Sequence, residues 1–141
     1  MPKREAVSEL MLANLALGDS YSTVRQVLGT PSKEETKSNG EKCYYFPSIE
    51  VHCKNGKVTM LVSNSPAAET PKGIHEGSTY RAVLKAYGKG ATRSTYGNLD
   101  LYEYNLTAPD GRAAILRFAI NNTMDNKVRE RVDYISIRYQ E

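Results

Sequence analysis

The sequence predicts an α+β fold made of two tandem repeats, each a short helical segment followed by an antiparallel β-meander, with the helices packed on one side of the sheet. Three observations predict it. The stretch Gly18-Asp-Ser-Tyr-Ser-Thr-Val-Arg-Gln-Val-Leu-Gly29 returns as Gly77-Ser-Thr-Tyr-Arg-Ala-Val-Leu-Lys-Ala-Tyr-Gly88, at a constant offset of 59 residues. Each copy is followed by a polar stretch and then by short runs of β-forming residues. Those runs are separated by turn signals, Asn55-Gly56 and Pro109-Asp110-Gly111 among them.

Taken in order, residues 5–16 read as an amphipathic helix with Leu10, Ala13 and Leu17 on one face. A capped helix follows. Ser20 can accept a hydrogen bond from a free N–H of the first turn, and Gly29 supplies the left-handed residue that closes the last one. Val24, Val27 and Leu28 form its apolar stripe. Thr30-Pro31 prevents continuation, and the polar residues 32–41 read as an exposed loop. Cys43–Phe46, Ile49–Cys53 and Lys57–Val62 then form a three-stranded meander.

Pro66 and Pro71 bracket a stretch without period, so residues 1–65 make the first repeat with its N-terminal helix, 66–73 the linker and 74–141 the second repeat. Thr79 and Gly88 cap the second helix, whose stripe is Val83, Ala86 and Tyr87. A polar loop leads to Asp100–Asn105, Arg112–Ile120 and Val132–Tyr139, in which Tyr102-x-Tyr104 echoes Tyr44-x-Phe46. Both helices are too short to stand alone and must lie on the strands.

Composition narrows the function classes. The chain has 141 residues, 40% of them hydrophobic, and a formal charge of +3, values of an ordinary globular protein and not of a disordered or nucleic-acid-binding arm. Ten tyrosines stand against two phenylalanines and no tryptophan; tyrosine suits half-buried sheet positions and surfaces that meet partners. No stretch approaches the roughly 20 apolar residues of a membrane span. The opening Met1-Pro-Lys-Arg fits a cytosolic protein as made, or a secreted one without its leader.

The duplicated Gly-x-Ser/Thr-x-x-x-Val-x-x-x-x-Gly unit, its polar loop and its aromatic strands resemble the β-lactamase-inhibitor-protein-like fold, and a single unit resembles the small outer-membrane assembly lipoproteins. Cys43 and the run Ile49-Glu-Val-His-Cys53-Lys54 are similar to the inhibitor's first repeat, where a cysteine pair staples the corresponding strands. The chain departs from those families in having no cysteine in its second half, no tryptophan and no N-terminal lipidation cysteine. The resemblance implies a Cys43–Cys53 disulfide and a secreted or periplasmic, envelope location. With those two cysteines opposite each other, Tyr44 faces His52, Tyr45 faces Val51 and Phe46 faces Glu50, leaving Pro47-Ser48-Ile49 as the turn. Such a bridge would contribute about 2–3 kcal/mol. Two reduced thiols in a cytosolic protein are the alternative reading.

No catalytic constellation, cofactor motif or metal site emerges. His52 and His75 lie in different halves without metal-ligand spacing, Gly88-Lys89-Gly90 lacks the context of a phosphate loop, and Glu34-Glu35 is a solvated charge pair. Arg112, Arg117, Arg129, Arg131 and Arg138 gather near Tyr134 and Tyr139, but Glu103, Asp125, Glu130, Asp133 and Glu141 lie among them, which argues against a nucleic-acid surface.

The expected function is therefore non-enzymatic: an extracytoplasmic binding or envelope-assembly module that holds a protein partner on one sheet face, inhibitor-like in one version. A structural, sensor or small-ligand-binding domain is the second reading. Strand parity defines the expected face. With Val51, Cys53, Cys43, Leu116, Phe118, Ile135 and Ile137 turned to the core, Tyr44, Phe46, His52, Arg117, Tyr134 and Arg138 lie on the other side. Tyr102 and Tyr104 join them if Glu103 sits at a wet edge. Aromatic and arginine side chains together have the composition of a recognition surface.

Overall fold

Ala13 and Asn14 both take positive φ, 53° and 65°, and the chain folds back on itself around them. Two central residues at positive φ make the tight turn that matches the twist of a hairpin, so β1 (Met11–Leu12) and β2 (Leu15–Ala16) pair antiparallel. The helix expected over residues 5–16 is thus replaced by a hairpin from Met11 onward; the computed structural model describes residues 9–140, and residues 5–8 of that expectation lie outside them. Leu10, Leu12, Leu15 and Leu17 still reach the core, which is why their spacing imitates a helical face.

Helix α1 (Tyr21–Leu28) and helix α2 (Tyr80–Tyr87) form at the two glycine-closed stretches. Ser20 Oγ accepts from the Thr23 N–H at 3.2 Å, and Thr79 Oγ1 accepts from the Ala82 N–H at 3.1 Å. Gly29 and Gly88 close the helices at φ 83° and 81°. Their ψ values of −143° and −168° place them in the positive-φ extended region that glycine alone occupies comfortably, not in the left-handed helical one.

The remaining strands are β3 (Lys33–Thr36), β4 (Lys42–Tyr45), β5 (Ile49–Lys54), β6 (Lys57–Ser63), β7 (Thr92–Tyr96), β8 (Leu99–Thr107), β9 (Ala113–Asn121) and β10 (Val132–Tyr139). They build one eight-stranded antiparallel sheet in the order β3-β4-β5-β6-β10-β9-β8-β7. The central β6–β10 pair, Leu61 opposite Ile137, makes it continuous from one half of the chain to the other. This corrects the expected α+β class. Among the described residues the protein is predominantly one large antiparallel sheet with two short helices, not a pair of repeats in each of which a helical layer covers its own meander.

Strands β3 and β7 occupy segments expected to be loops. Every residue of both is exposed. An edge strand wetted on both faces needs no alternating pattern; its partner's backbone hydrogen bonds hold it, and the charges of Lys33, Glu34 and Glu35 suit an edge that must not pair further.

Each helix enters the fold by the same device. Gly18 at φ 86° donates its N–H to Val58 O and Tyr21 donates to Gly56 O, while Val58 N returns a bond to Asp19 O. In the second half Gly77 at φ 94° donates to Val132 O, Tyr80 to Glu130 O, and Val132 N to Ser78 O. The opening glycine of each stretch therefore serves to lay the chain against the first residues of β6 or β10 before the helix begins. Behind this entry Tyr21 stacks on Tyr44 with ring centroids 4.2 Å apart, and Tyr80 stacks on Tyr102 at 4.6 Å.

One core cluster fills the helix-bearing face. It joins Leu10, Leu12, Leu15, Leu17, Val24, Ala68, Ile74 and Val83 from outside the sheet to Ile49, Val51, Cys53, Leu61, Leu116, Phe118, Ile135 and Ile137 within it. Among the described residues, no helix is long and apolar enough to cross a membrane.

Candidate functional site

The other face of the sheet is the candidate site, because the hairpin, both helices and the segment leading to α2 all place their core side chains on the first. Its residues can be read off the strand registers. One row runs across Cys43, His52, Met60, Arg138, Ile115 and Asn105; the next runs across Tyr45, Glu50, Val62, Ser136, Arg117 and Glu103. Tyr134 opposite Ala119 and Leu101 opposite the same alanine continue it.

Two polar clusters occupy this face. On β8, β9 and β10, Arg117 donates from Nε to Glu103 Oε2 at 2.7 Å and from Nη1 to the Tyr134 hydroxyl at 3.1 Å. Burial would lower the Arg117 pKa, but these bonds to Tyr134 and Glu103 outweigh it and hold the guanidinium firmly charged. Arg138 lies half-buried between Met60 and Ile115. Its one hydrogen bond here is to Tyr139 O, at 3.4 Å, and among the described residues no carboxylate pairs with it.

On β4, β5 and β6, the Cys43 Sγ lies 3.2 Å from His52 Nδ1, and the Lys37 Nζ approaches the same nitrogen at 3.3 Å. His52 Nε2 faces Glu50 Oε2 in a short hydrogen bond. Lys37 also pairs with Glu41 Oε1 at 3.1 Å, and Thr59 donates to Glu41 Oε2 at 2.9 Å. Partial burial pushes the Glu41 carboxyl up, yet the bonds from Lys37 and Thr59 carry it below its ordinary value. Burial raises the Cys43 thiol, with Lys37 pulling the other way.

These positions sort the residues expected to form the binding face. His52, Arg117, Tyr134 and Arg138 lie on the open face together. Tyr44, Phe46 and Tyr104 are buried in the helix-side core, at 5%, 3% and 6% exposure, and Tyr102 is half-buried beneath Tyr80. Tyr104 uses its hydroxyl to bond Gly88 O at 2.6 Å, tying β8 to the end of α2. Desolvation drives the Tyr44 and Tyr102 hydroxyls up to about 12.

Tyr102 and Tyr104 turn to the helix side because Glu103 between them faces out to Arg117, and for Tyr44 and Phe46 the sorting follows from a single residue of register. The β4–β5 turn has two central residues, Pro47 and Ser48, with Phe46 N bonded to Ile49 O at 2.9 Å. Cys43 therefore pairs with His52, not with Cys53, Tyr44 with Val51, and Tyr45 with Glu50. A one-residue slip sends alternate side chains to the opposite face. Tyr44 turns inward, Cys43 turns outward, and the expected Cys43–Cys53 disulfide is replaced by two free, buried cysteines on opposite faces of the sheet. No bridge can form between them without rebuilding the hairpin.

The arginines near the C-terminus do not converge on one surface. Arg112 lies over the Tyr139 ring at 3.7 Å, Arg131 bonds Gly77 O at 2.8 Å, and only Arg117 and Arg138 share the open face. Sequence reasoning missed Cys43, Lys37 and Glu50 as members of the site; the short Pro47-Ser48 turn was the signal for Cys43, the shared parity of Glu50 and His52 the signal for Glu50, and Lys37 left none.

No protein-family model matches this chain, and no curated protein sequence matches it significantly. Solved structures similar in fold include the following two. One is an extracellular protein containing an SCP domain from Bacillus anthracis str. Ames, with a TM-score of 0.63 at 11% identity, covering 99% of this chain and 50% of that one. Another is a cysteine-rich secretory protein from Staphylococcus aureus subsp. aureus Mu50, with a TM-score of 0.57 at 10% identity, covering 99% of this chain and 46% of that one. This chain spans about half the length of each, and at such identity the likeness is one of fold. It overturns the resemblance to β-lactamase-inhibitor-protein-like repeats and to the assembly lipoproteins. The duplicated glycine motif that suggested them is accounted for by the helix caps and the strand-docked helix entry, which are general mechanics and no family signature.

Proposed function

We propose that this chain is a non-enzymatic extracellular binding module that holds a protein partner on the open face of its sheet. The observation that carries the proposal is Arg138, a half-buried guanidinium without a carboxylate partner among the described residues, set between Met60 and Ile115 in the middle of that face. Arg117 and Tyr134, bonded to each other, lie beside it. Arginine and tyrosine flanked by apolar surface are the residue types that dominate binding energy at protein interfaces. An unpaired guanidinium there gains a charge-assisted bond when a partner's acidic group arrives. The extracellular part of the reading is supported by the descriptions of two structures similar in fold, one an extracellular protein and the other a secretory one.

The test uses two groups of variants. Tyr134→Ala and Arg138→Ala alter the open face; Arg25→Ala and Lys85→Ala alter exposed helix positions on the other side. The protein carrying a photo-crosslinker at Met60 should give a discrete protein adduct in extracellular extract, lost with the first group and kept with the second. Equal crosslinking by all four variants would refute the proposal.

A further inference from the structure

We propose that Cys43 is a site of reversible thiol–disulfide exchange with small disulfides, served by His52 as proton acceptor and Lys37 as the charge that steadies the thiolate. The proposal stands on the geometry of one cluster and does not depend on the partner-binding reading.

The hydrogen bonds fix the histidine tautomer. Glu50, an acceptor, faces His52 Nε2, while two donors, the Lys37 ammonium and the Cys43 thiol, converge on Nδ1 at 3.3 Å and 3.2 Å. The proton therefore sits on Nε2, and the single lone pair of Nδ1 takes the thiol when Lys37 turns to Glu41, whose Oε1 lies 3.1 Å from the ammonium and 3.7 Å from Nδ1. A nucleophile within hydrogen-bond reach of a base, with the base oriented by a third group, is the arrangement that activates a thiol. Burial raises the Cys43 thiol and the Lys37 charge pulls it the other way, so the sulfur depends on His52 to take its proton. Cys43 is 2% exposed, so a small disulfide reaches its sulfur only as this corner of the open face yields, where the Lys37 side chain is 46% exposed.

The exchange balances without any other reactant. The thiol proton passes to His52 Nδ1, and the Cys43 Sγ attacks one sulfur of a small disulfide. A new S–S bond joins Cys43 to one thiol unit; the old S–S bond breaks, and the departing thiolate takes the proton back from His52. Cys43 is oxidised and half of the small disulfide is reduced. Cys53 cannot resolve the adduct, because it lies on the opposite face inside the helix-side core, where burial drives its thiol up to about 11. The cap on Cys43 therefore persists until an external thiol removes it.

The experiment incubates native wild-type protein with oxidised glutathione, blocks the remaining thiols with an alkylating agent and maps both cysteines by peptide mass. The expected result is one glutathione per chain, on Cys43, removed by reductant, with a rate that rises as pH is raised above neutral. His52→Gln should slow the reaction by roughly 10-fold or more, and Cys53→Ser should leave it unchanged. Three results would each overturn the proposal: no adduct on the native protein under conditions where the urea-unfolded chain is modified, modification of Cys53 at the same rate as Cys43, or an unchanged rate in folded His52→Gln. If His52→Gln does not fold, the wild-type arms still decide the site.

Discussion

Replacing Tyr44 by alanine separates the inward from the outward assignment of this side chain. Tyr44 is 5% exposed, stacks on Tyr21 at 4.2 Å and belongs to the helix-side core. Truncating a buried aromatic ring costs about 3–5 kcal/mol from lost transfer energy and the cavity left behind, of which the ring–ring contact accounts for about 0.5–1.5 kcal/mol. Tyr134 is half-exposed on the open face, and its alanine variant should cost less than about 1 kcal/mol. Urea unfolding followed by circular dichroism reads the difference. The midpoint should fall steeply for Tyr44→Ala and slightly for Tyr134→Ala, with the slope of the transition unchanged in both. In heat the former should lose roughly 10–15 °C. Equal midpoints for the two variants, or a loss below about 1 kcal/mol for Tyr44→Ala, would show that the β4–β5 register assigned here is wrong.

Two further outcomes are expected. Tyr44, Tyr45, Tyr87, Tyr102 and Tyr139 hold their phenolic protons up to about 12, from an ordinary value of 10.0, through burial or, for Tyr45, a hydrogen bond to Glu35. Across that window the unfolded chain has already given up protons that the native one keeps, so stability falls as pH rises from about 10 to about 12; ultraviolet titration should show a late tyrosinate step, and a single step near 10 in folded protein would contradict it. In the β1–β2 turn, Ala13 at φ 53° carries a left-handed strain of roughly 1–2 kcal/mol. Ala13→Gly relieves it at some cost in chain entropy and should raise stability by about 0.5–1 kcal/mol, read as a higher urea midpoint, whereas a lowered midpoint would mean the turn is not formed as described.

By itself the sequence determined the features whose causes are local. Ser20 and Thr79 cap the helices because a hydroxyl one residue before a helix meets free N–H groups wherever the chain goes, and Asn55-Gly56 turns because Asn55 and Gly56 tolerate positive φ, here 53° and 75°. The outward positions of Arg117, Tyr134 and Arg138 were legible too, since Leu116, Phe118, Ile135 and Ile137 leave those strands one choice of core face. Tertiary structure decided the rest. Residues 33–36 and 92–96 became edge strands because a neighbour offered backbone partners, a cause that no pattern in Lys-Glu-Glu-Thr or Thr-Arg-Ser-Thr-Tyr records. Leu10 to Leu17 became a hairpin because the same leucines reach one core from either shape. The pairing of β6 with β10, which turns two meanders into one sheet, joins residues far apart in the chain. The cysteines show the limit most sharply: Tyr44 and Cys43 exchanged faces because the Pro47-Ser48 turn is one residue shorter than a Cys43–Cys53 pairing requires, and a side-chain period of two converts that single residue into a complete reversal of inside and outside.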